Sequence, residues 1–331
     1  MHPFIYELAL AIAAGVLSWS LIGLYARAMS ATRQLDQPND RSMHRVPVPV
    51  GAGLAIVATA LILWPLWQAG DVRKHGVLLG CLAALGALSW LDDRRPLSPA
   101  IRLGAQTIAV ALCLRLLPPE ARVLPAIPML LERCVLGLAW LWFINLFNFM
   151  DGIDGLAGSE AVAIALGYLL LLPYVGMDGP LWRLALIIAA SSAAYLLWNW
   201  HPAKVFMGDA GSIPLGFLLG WLMLDLALRG YWPAAVILPL YFIVDATITL
   251  LRRALEGKKP WAAHREHFYQ RAVLGGATPP GVVWRVGLAN LALLALALAS
   301  VTRPAAALLA AAAAVGMLLS ELRRLARPAL L

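Results

Sequence analysis

Long apolar runs, each broken by a short polar or Gly- and Pro-rich stretch, follow one another along almost the whole chain. A helix that crosses a bilayer needs about 20 consecutive apolar residues. By that measure the sequence predicts eleven spans, at 4–26, 51–69, 75–91, 99–117, 130–147, 157–174, 182–199, 212–229, 232–251, 282–301 and 304–321. The third is the shortest of them. The expected fold class is all-α, a polytopic membrane helical bundle forming one domain over residues 1–331. Its polar connectors fall at about 28–50, 92–98, 148–157, 200–212 and 252–281.

Composition fixes the solvent. The 331 residues are 61% hydrophobic and 13% charged, with a mean hydropathy of +0.77, whereas soluble domains carry about 25% charged residues. The apolar run at the N-terminus has no basic segment before it and ends at Arg27 without a cleavage site, so it reads as a retained first span. Cys81, Cys113 and Cys134 lie in or beside apolar runs and form no C-x-x-C pair, which argues against disulfides and a cysteine metal site. The net charge of +8 raises the question of nucleic acid. With the N-terminus placed outside, however, 18 of the 26 Lys and Arg fall on the cytoplasmic side. That bias is a topology signal, and it predicts a periplasmic N-terminus, a cytoplasmic C-terminus and no nucleic-acid partner.

The polar stretches carry the chemistry. Asn145–Glu160 reads NLFNFMDGIDGLAGSE and places Asn148, Asp151 and Asp154 among glycines at the end of an apolar run. Charges at a membrane are expensive and commonly functional, and the glycines favour a loop over a helix here. Asp92 and Asp93 end the third span, with Arg102 at the start of the next. Adjacent carboxylates repel unless a cation or a proton relieves them. Asn199, Lys204 and Asp209 lie in NWHPAKVFMGDAGS, a third acidic, Gly-rich turn on the same predicted face. The largest loop contains His264, Arg265 and His267, a weak zinc pattern but a plausible set of phosphate donors. Arg41, His44 and Arg45 could edge the same surface, whereas Asp245, inside the ninth span, has no evident role. Carboxylate and amide oxygens of this kind suit Mg²⁺ that shares its shell with a phosphate.

Four of these stretches together resemble the polyprenyl-phosphate N-acetylhexosamine-1-phosphate transferase family (glycosyltransferase family 4). They are LDD at 91–93, NLFNFMDGIDGLAG at 145–158, NWHPAKVFMGDAGS at 199–212 and HREH at 264–267, in order over most of the chain. The HREH loop is similar to the O-antigen-initiating branch. The resemblance implies a bacterial inner-membrane enzyme whose site faces the cytoplasm. It would transfer a sugar-1-phosphate from a UDP-N-acetylhexosamine to undecaprenyl phosphate and release UMP, with Mg²⁺, or Mn²⁺ in its place, as cofactor. A homodimer is plausible from relatives. Carried over by position, Asp209 would be the principal metal ligand and Asn148 a second. Asp92 and Asp93 would lie beside the lipid phosphate, and Asp151 and Asp154 would line the pocket. Asn199 would sit near the uridine or sugar, Arg102 near the phosphates, and His264, Arg265 and His267 against the diphosphate or the sugar. Lys204 is a further available cation. One departure stands out: in Pro47–Gly53, PVPVGAG, Val50 and Ala52 occupy positions where relatives carry a polar residue and a glycine.

Direct attack by the lipid phosphate, with Asp92 deprotonating or orienting it, is the expected route, and an aspartyl-phosphate intermediate is the alternative. The rival classes are a transporter using intramembrane acids and a CDP-alcohol phosphotransferase. The acids cluster in turns at one face rather than mid-span, which disfavours the first. The chain lacks the A-R pair and downstream acids of the second.

Overall fold

The structure, a computed structural model, describes residues 3–31, 35–36, 47–67, 72–175, 181–259, 262 and 264–326. Arg41, His44 and Arg45 lie outside them. In chain order the helices are α1 (Pro3–Ala31), α2 (Leu54–Leu66), α3 (Val72–Arg94), α4 (Pro99–Arg115) and α5 (Met129–Phe149). They continue as α6 (Leu156–Val175), α7 (Leu181–Asn199), α8 (Asp209–Leu226), α9 (Trp232–Ile237) and α10 (Leu240–Leu255). The last are α11 (Phe268–Leu274), α12 (Pro279–Ala299) and α13 (Pro304–Leu325). Strands β1 (Leu35–Asp36) and β2 (Val48–Pro49) pair antiparallel. The all-α expectation holds.

Eight helical stretches among the described residues are long and apolar enough to cross a bilayer, not eleven. The difference falls on three expected spans. The 51–69 run forms α2, whose 13 residues reach only about 20 Å at 1.5 Å per residue. The 99–117 run forms α4, with 17 residues. The 232–251 run is broken at Leu238–Pro239 into α9 and α10, where proline withholds an N–H and its ring obstructs the preceding turn. The expected third span, by contrast, lengthens into the 23 residues of α3. Between α8 and α9 the backbone kinks at Gly230 (φ 92°), a conformation that glycine adopts without a Cβ penalty.

Burial explains the arrangement. Helix α8 is apolar on every side and almost wholly buried, as a central helix must be. It packs against α3, α5, α2 and α6, while α7 packs on α1 and α6. Trp140 of α5 stacks on Phe217 of α8, ring centroids 4.9 Å apart, and its Nε1 donates to the Phe217 carbonyl at 3.0 Å. The outer helices turn large apolar side chains outward, Leu130, Leu138, Leu197, Leu288 and Leu309 among them. An inside-out apolar belt of this kind suits lipid, where helices already satisfy their own backbone polar groups. The molecule is a multi-pass membrane protein.

Local signals start the helices that flank the site. Ser98 caps α4 by accepting from the Ile101 N–H, with Pro99 at the first helical position, where its missing N–H is not needed. Thr278 caps α12 in the same way through Gly281.

Candidate active site

The C-terminal ends of α3, α5 and α7 and the N-termini of α4 and α8 converge, and the acidic turns meet there. Helix α8 begins at Asp209 with Gly208 as its cap residue, whose missing side chain leaves the first N–H groups unserved. Asp93, from the end of α3, supplies the cap: its Oδ1 accepts from the Asp209 N–H and its Oδ2 from the Ala210 N–H, both at 3.1 Å. A carboxylate at a helix N-terminus also meets the favourable end of the helix dipole.

Asp209 is held from two sides. Asn148 Nδ2 donates to its Oδ1 at 2.7 Å and to Ser212 Oγ at 2.8 Å. Arg102 Nη1 lies 3.3 Å from Asp209 Oδ2 and 3.2 Å from Asp92 Oδ2. The other oxygen of Asp92 accepts the Leu97 N–H at 2.6 Å. With both oxygens engaged in this way, Asp92 holds Arg102 in place.

The loop between α5 and α6 brings the next two acids. Asp151 is pushed up to about 7, first by burial and then by the charges of Asp209, Asp93 and Asp154. Asp154 Oδ2 lies 2.7 Å from His201 Nδ1 and accepts the Ala203 N–H at 3.1 Å. Beneath them Asn199 is buried, and its amide is consumed by backbone. It accepts from the Gly155 N–H at 2.8 Å and donates to the Val205 carbonyl at 2.9 Å. Asn199 therefore braces the two loops.

The first loop joins through its backbone. Ala52 and Gly53 donate to the carbonyls of Phe206 and Met207 at 3.0 and 3.1 Å, and Phe206 donates to the Pro49 carbonyl at 2.8 Å. A Cβ on Gly53 or on Gly211 would stand 2.4 Å from the other's Cα, so α2 and α8 approach this closely only because both are glycine. The pairing asks nothing of the side chains of Val50 and Ala52.

The HREH loop is divided by the structure. His267 is buried, with Nδ1 3.2 Å from Asp245 Oδ1. The same Asp245 oxygen accepts the Phe268 N–H at 3.1 Å, and Tyr241 donates to its other oxygen at 3.1 Å. Asp245 thus anchors the loop to α10. His264 tilts onto His267, ring centroids 4.9 Å apart, and its Nδ1 accepts the Glu266 N–H at 3.3 Å. Burial and the neighbouring His267 and Arg253 lower His264 to about 4, so it is neutral at physiological pH. Tyr269 donates to the Phe149 carbonyl at 3.1 Å, which ties α11 to the Asp151 loop. Arg265 instead lines a separate cavity beside Arg252 and Arg271. Lys204 is exposed, its Nζ 6.0 Å from the centroid of the Trp198 ring on α7. The sequence reading missed Ser212, His201, Asp245 and Tyr269. His201 and Ser212 both stood in the marked stretch 199–212, and Tyr269 in the connector 252–281.

Among the described residues no three His, Cys, Asp or Glu side chains stand in a ready-made metal cage. Mg²⁺ does not require one, since it is commonly bound by one or two carboxylates together with substrate phosphates and water. Burial first, and then the crowding of Asp209, Asp93 and Asp154, push Asp151 up to about 7, and that crowding is the charge imbalance a divalent cation would relieve. The donor set fits such an ion, which the Asp209 carboxylate and the Asn148 carbonyl oxygen would hold.

A fold of spanning helices with carboxylates, amides and one arginine gathered at the helix ends defines a membrane enzyme handling phosphorylated substrates. Residues 75–227 match the glycosyl transferase family 4 model. An undecaprenyl-phosphate α-N-acetylglucosaminyl 1-phosphate transferase of Yersinia pestis is 30% identical over 265 residues, covering 74% of this chain and 70% of its own. A protein of Bacillus subtilis named as a probable undecaprenyl-phosphate N-acetylglucosaminyl 1-phosphate transferase is 29% identical over 261 residues, covering 73% and 70%. A phospho-N-acetylmuramoyl-pentapeptide-transferase of Thermosynechococcus vestitus is 27% identical over 278 residues, covering 74% and 68%. The chain belongs to the polyprenyl-phosphate N-acetylhexosamine-1-phosphate transferase family. It is a polyprenyl-phosphate sugar-phosphate transferase.

Proposed function

We propose that this chain transfers N-acetylhexosamine-1-phosphate from a UDP-sugar to undecaprenyl phosphate, as the first membrane step of O-antigen or a related surface polysaccharide. The observation that carries the reading is the clamp on Asp209, between Asn148 and Arg102, at the mouth of α8. The site would face the cytoplasm of a bacterial inner membrane, as the Lys and Arg asymmetry favours. A homodimer belongs to the same reading.

An oxygen of the lipid phosphate would form a bond to the β-phosphorus of the UDP-sugar. The bond from that phosphorus to the bridging oxygen would break, so the lipid becomes a diphosphate and UMP leaves. Both reactants are anionic, and phosphoryl transfer asks a protein mainly for positioning and electrostatics. Arg102 offers the incoming phosphates a cation that Asp92 holds in place. His267, tied to Asp245, and His264, tilted onto His267, close the loop side. Mg²⁺, or Mn²⁺, held by Asp209 and Asn148 would neutralise charge on the diphosphate and on the departing UMP. An apolar groove of about 340 Å³ between α5, α8 and α9, lined by Trp140, Phe143, Met223 and Val236 and lying farther along α8 from Asp209, would suit a distal part of the lipid chain.

The test is UMP release by purified protein given undecaprenyl phosphate, Mg²⁺ and a panel of UDP-N-acetylhexosamines. Release that needs both lipid and metal, with one sugar preferred, is the expected result. Release without the lipid acceptor, or none with any sugar from folded protein, would overturn the reading.

A further inference from the structure

A cavity of about 630 Å³ opens between the end of α10, the loop after it, α11 and the last residue described after α13, Ala326. Its lining carries four cations, Arg252, Lys258, Arg265 and Arg271, against two acids, Glu256 and Glu266. Both acids are already neutralised. Glu266 pairs with Arg253, with Lys258 at 3.3 Å and with Arg252 at 3.6 Å, while Glu256 pairs with Lys258 at 2.7 Å. Arg265 and Arg271 form no ion pair among the described residues. Two arginines thus line a cavity of ligand size whose two acids, among the described residues, are paired with other cations.

This cavity is not the aspartate site. Helix α11 turns Tyr269 and Gln270 toward Gly152, and presents Arg271 and Leu274 on its other side. The tie from Tyr269 to the Phe149 carbonyl nevertheless puts α11 at the same end of the bundle as the aspartates, where the apolar helices end. The cavity also has an apolar margin. Leu274 is 56% exposed in its lining, and on α10 Leu251 and Leu255, the residues just before the lining Arg252 and Glu256, are 58% and 90% exposed.

We propose that this cavity binds the phosphate headgroup of an anionic membrane phospholipid, with Arg265 and Arg271 on the phosphate and the acyl chains along Leu251, Leu255 and Leu274. Basic pockets at the cytoplasmic ends of helices recognise such headgroups. A free phosphate would satisfy the arginines and leave the apolar margin unused. A zwitterionic headgroup brings a cation into a lining that already has an excess of them. The site needs neither the lipid acceptor nor the sugar nucleotide, so it stands apart from the transferase reading.

The experiment uses the full chain in detergent with phosphatidylglycerol, phosphatidylcholine or inorganic phosphate, read by native mass spectrometry and by melting temperature. Phosphatidylglycerol should be retained and raise the melting temperature, and the other two should do neither. Arg271→Gln should weaken retention by roughly fivefold, the worth of one cation near an anionic surface, and Arg271→Glu by more. If Arg271→Glu does not fold, Arg271→Gln carries the test alone. Equal retention of phosphatidylcholine, or unchanged retention of phosphatidylglycerol by the variants, would overturn the proposal. A shift with inorganic phosphate as large as with phosphatidylglycerol would identify a free-phosphate site and overturn the lipid assignment.

Discussion

Asp93 accepts the backbone N–H groups of Asp209 and Ala210, so one acid of the site fixes the start of the helix on which another is mounted. The two should therefore fail differently. Asp93→Asn keeps one acceptor oxygen and loses the other, and should lower stability by about 1 kcal/mol, the usual worth of a cap, along with activity. Asp209→Asn removes one of several crowded charges and should abolish UMP release with the melting temperature unchanged or raised. Melting curves on the two purified variants, beside the release assay, separate these outcomes. A fully active Asp209→Asn at ordinary Mg²⁺ would contradict the metal assignment.

Among the described residues Arg102 is the one basic side chain that bridges Asp92 and Asp209. Charge-assisted hydrogen bonds contribute about 1.5–3 kcal/mol, so Arg102→Gln should reduce turnover by about ten- to a hundredfold. Lys in its place should recover only part of this, because a compact, strongly hydrated ammonium does not supply the guanidinium's remaining N–H donors to the phosphates. Steady-state rates for the three proteins provide the check.

Gly152 leaves room for Tyr269: a Cβ there would stand 2.1 Å from the Tyr269 hydroxyl and 3.0 Å from Gln270 Nε2. Gly152→Ala should displace the Asp151 loop, and small misplacements of reacting groups reduce rates by roughly a hundredfold. Tyr269→Phe should restore part of the loss when combined with it. A double-mutant cycle on UMP release reads the coupling, and strictly additive effects would mean that the two residues do not meet.

Within the bilayer, Asn290 Nδ2 donates to Glu160 Oε2 at 2.7 Å, while Glu160 Oε1 and Asn290 Oδ1 have no partner among the described residues. One proton on Glu160 would satisfy both. Glu160→Gln supplies that donor permanently and should leave the melting temperature unchanged or higher. Asn290→Leu, which strands a buried carboxyl, should lower it through a desolvation penalty of about 1–3 kcal/mol or more. A clear loss of stability in Glu160→Gln would show that the carboxylate itself is required.

His264 has a depressed pKa of about 4, against about 6.5 in an unfolded chain. Between these values the unfolded state binds more protons, so the contribution of His264 to stability is complete above about pH 6.5 and declines as pH falls toward 4. His264→Gln should flatten that part of the profile. Melting temperatures across this range, wild type against variant, give the comparison.

Much of this was legible in the sequence, for identifiable reasons. Spanning helices write themselves as apolar runs, and acids at their ends stand out because lipid makes charge expensive. Hence Asp92, Asp93, Asn148, Asp151, Asp154 and Asp209 could be gathered before any coordinates, and the structure brings them to one end of the bundle. The division of labour among them was not legible. Whether Asn199 offers its amide to a ligand or spends it on Gly155 and Val205 depends on backbone positions that no local pattern encodes. Asp245 gave no signal for the same reason, since its partners His267 and Phe268 come from beyond the helix that carries it. The eleven-run count overlooked that α2 and α4 are short and that Pro239 divides another run, because hydropathy measures composition and not unbroken helix.

The backbone pairing between residues 49–53 and 206–207 bears on biogenesis. A ribosome delivers the first of these segments long before the second, so α2 enters the membrane while the strand that will hold its leading turn has not been synthesised. Asp93 likewise waits for the N–H groups of Asp209 and Ala210. The pocket can therefore close only late in translation, after α8 has been inserted. A nascent chain released before that point would carry most of its acids and none of the scaffold that makes them a site.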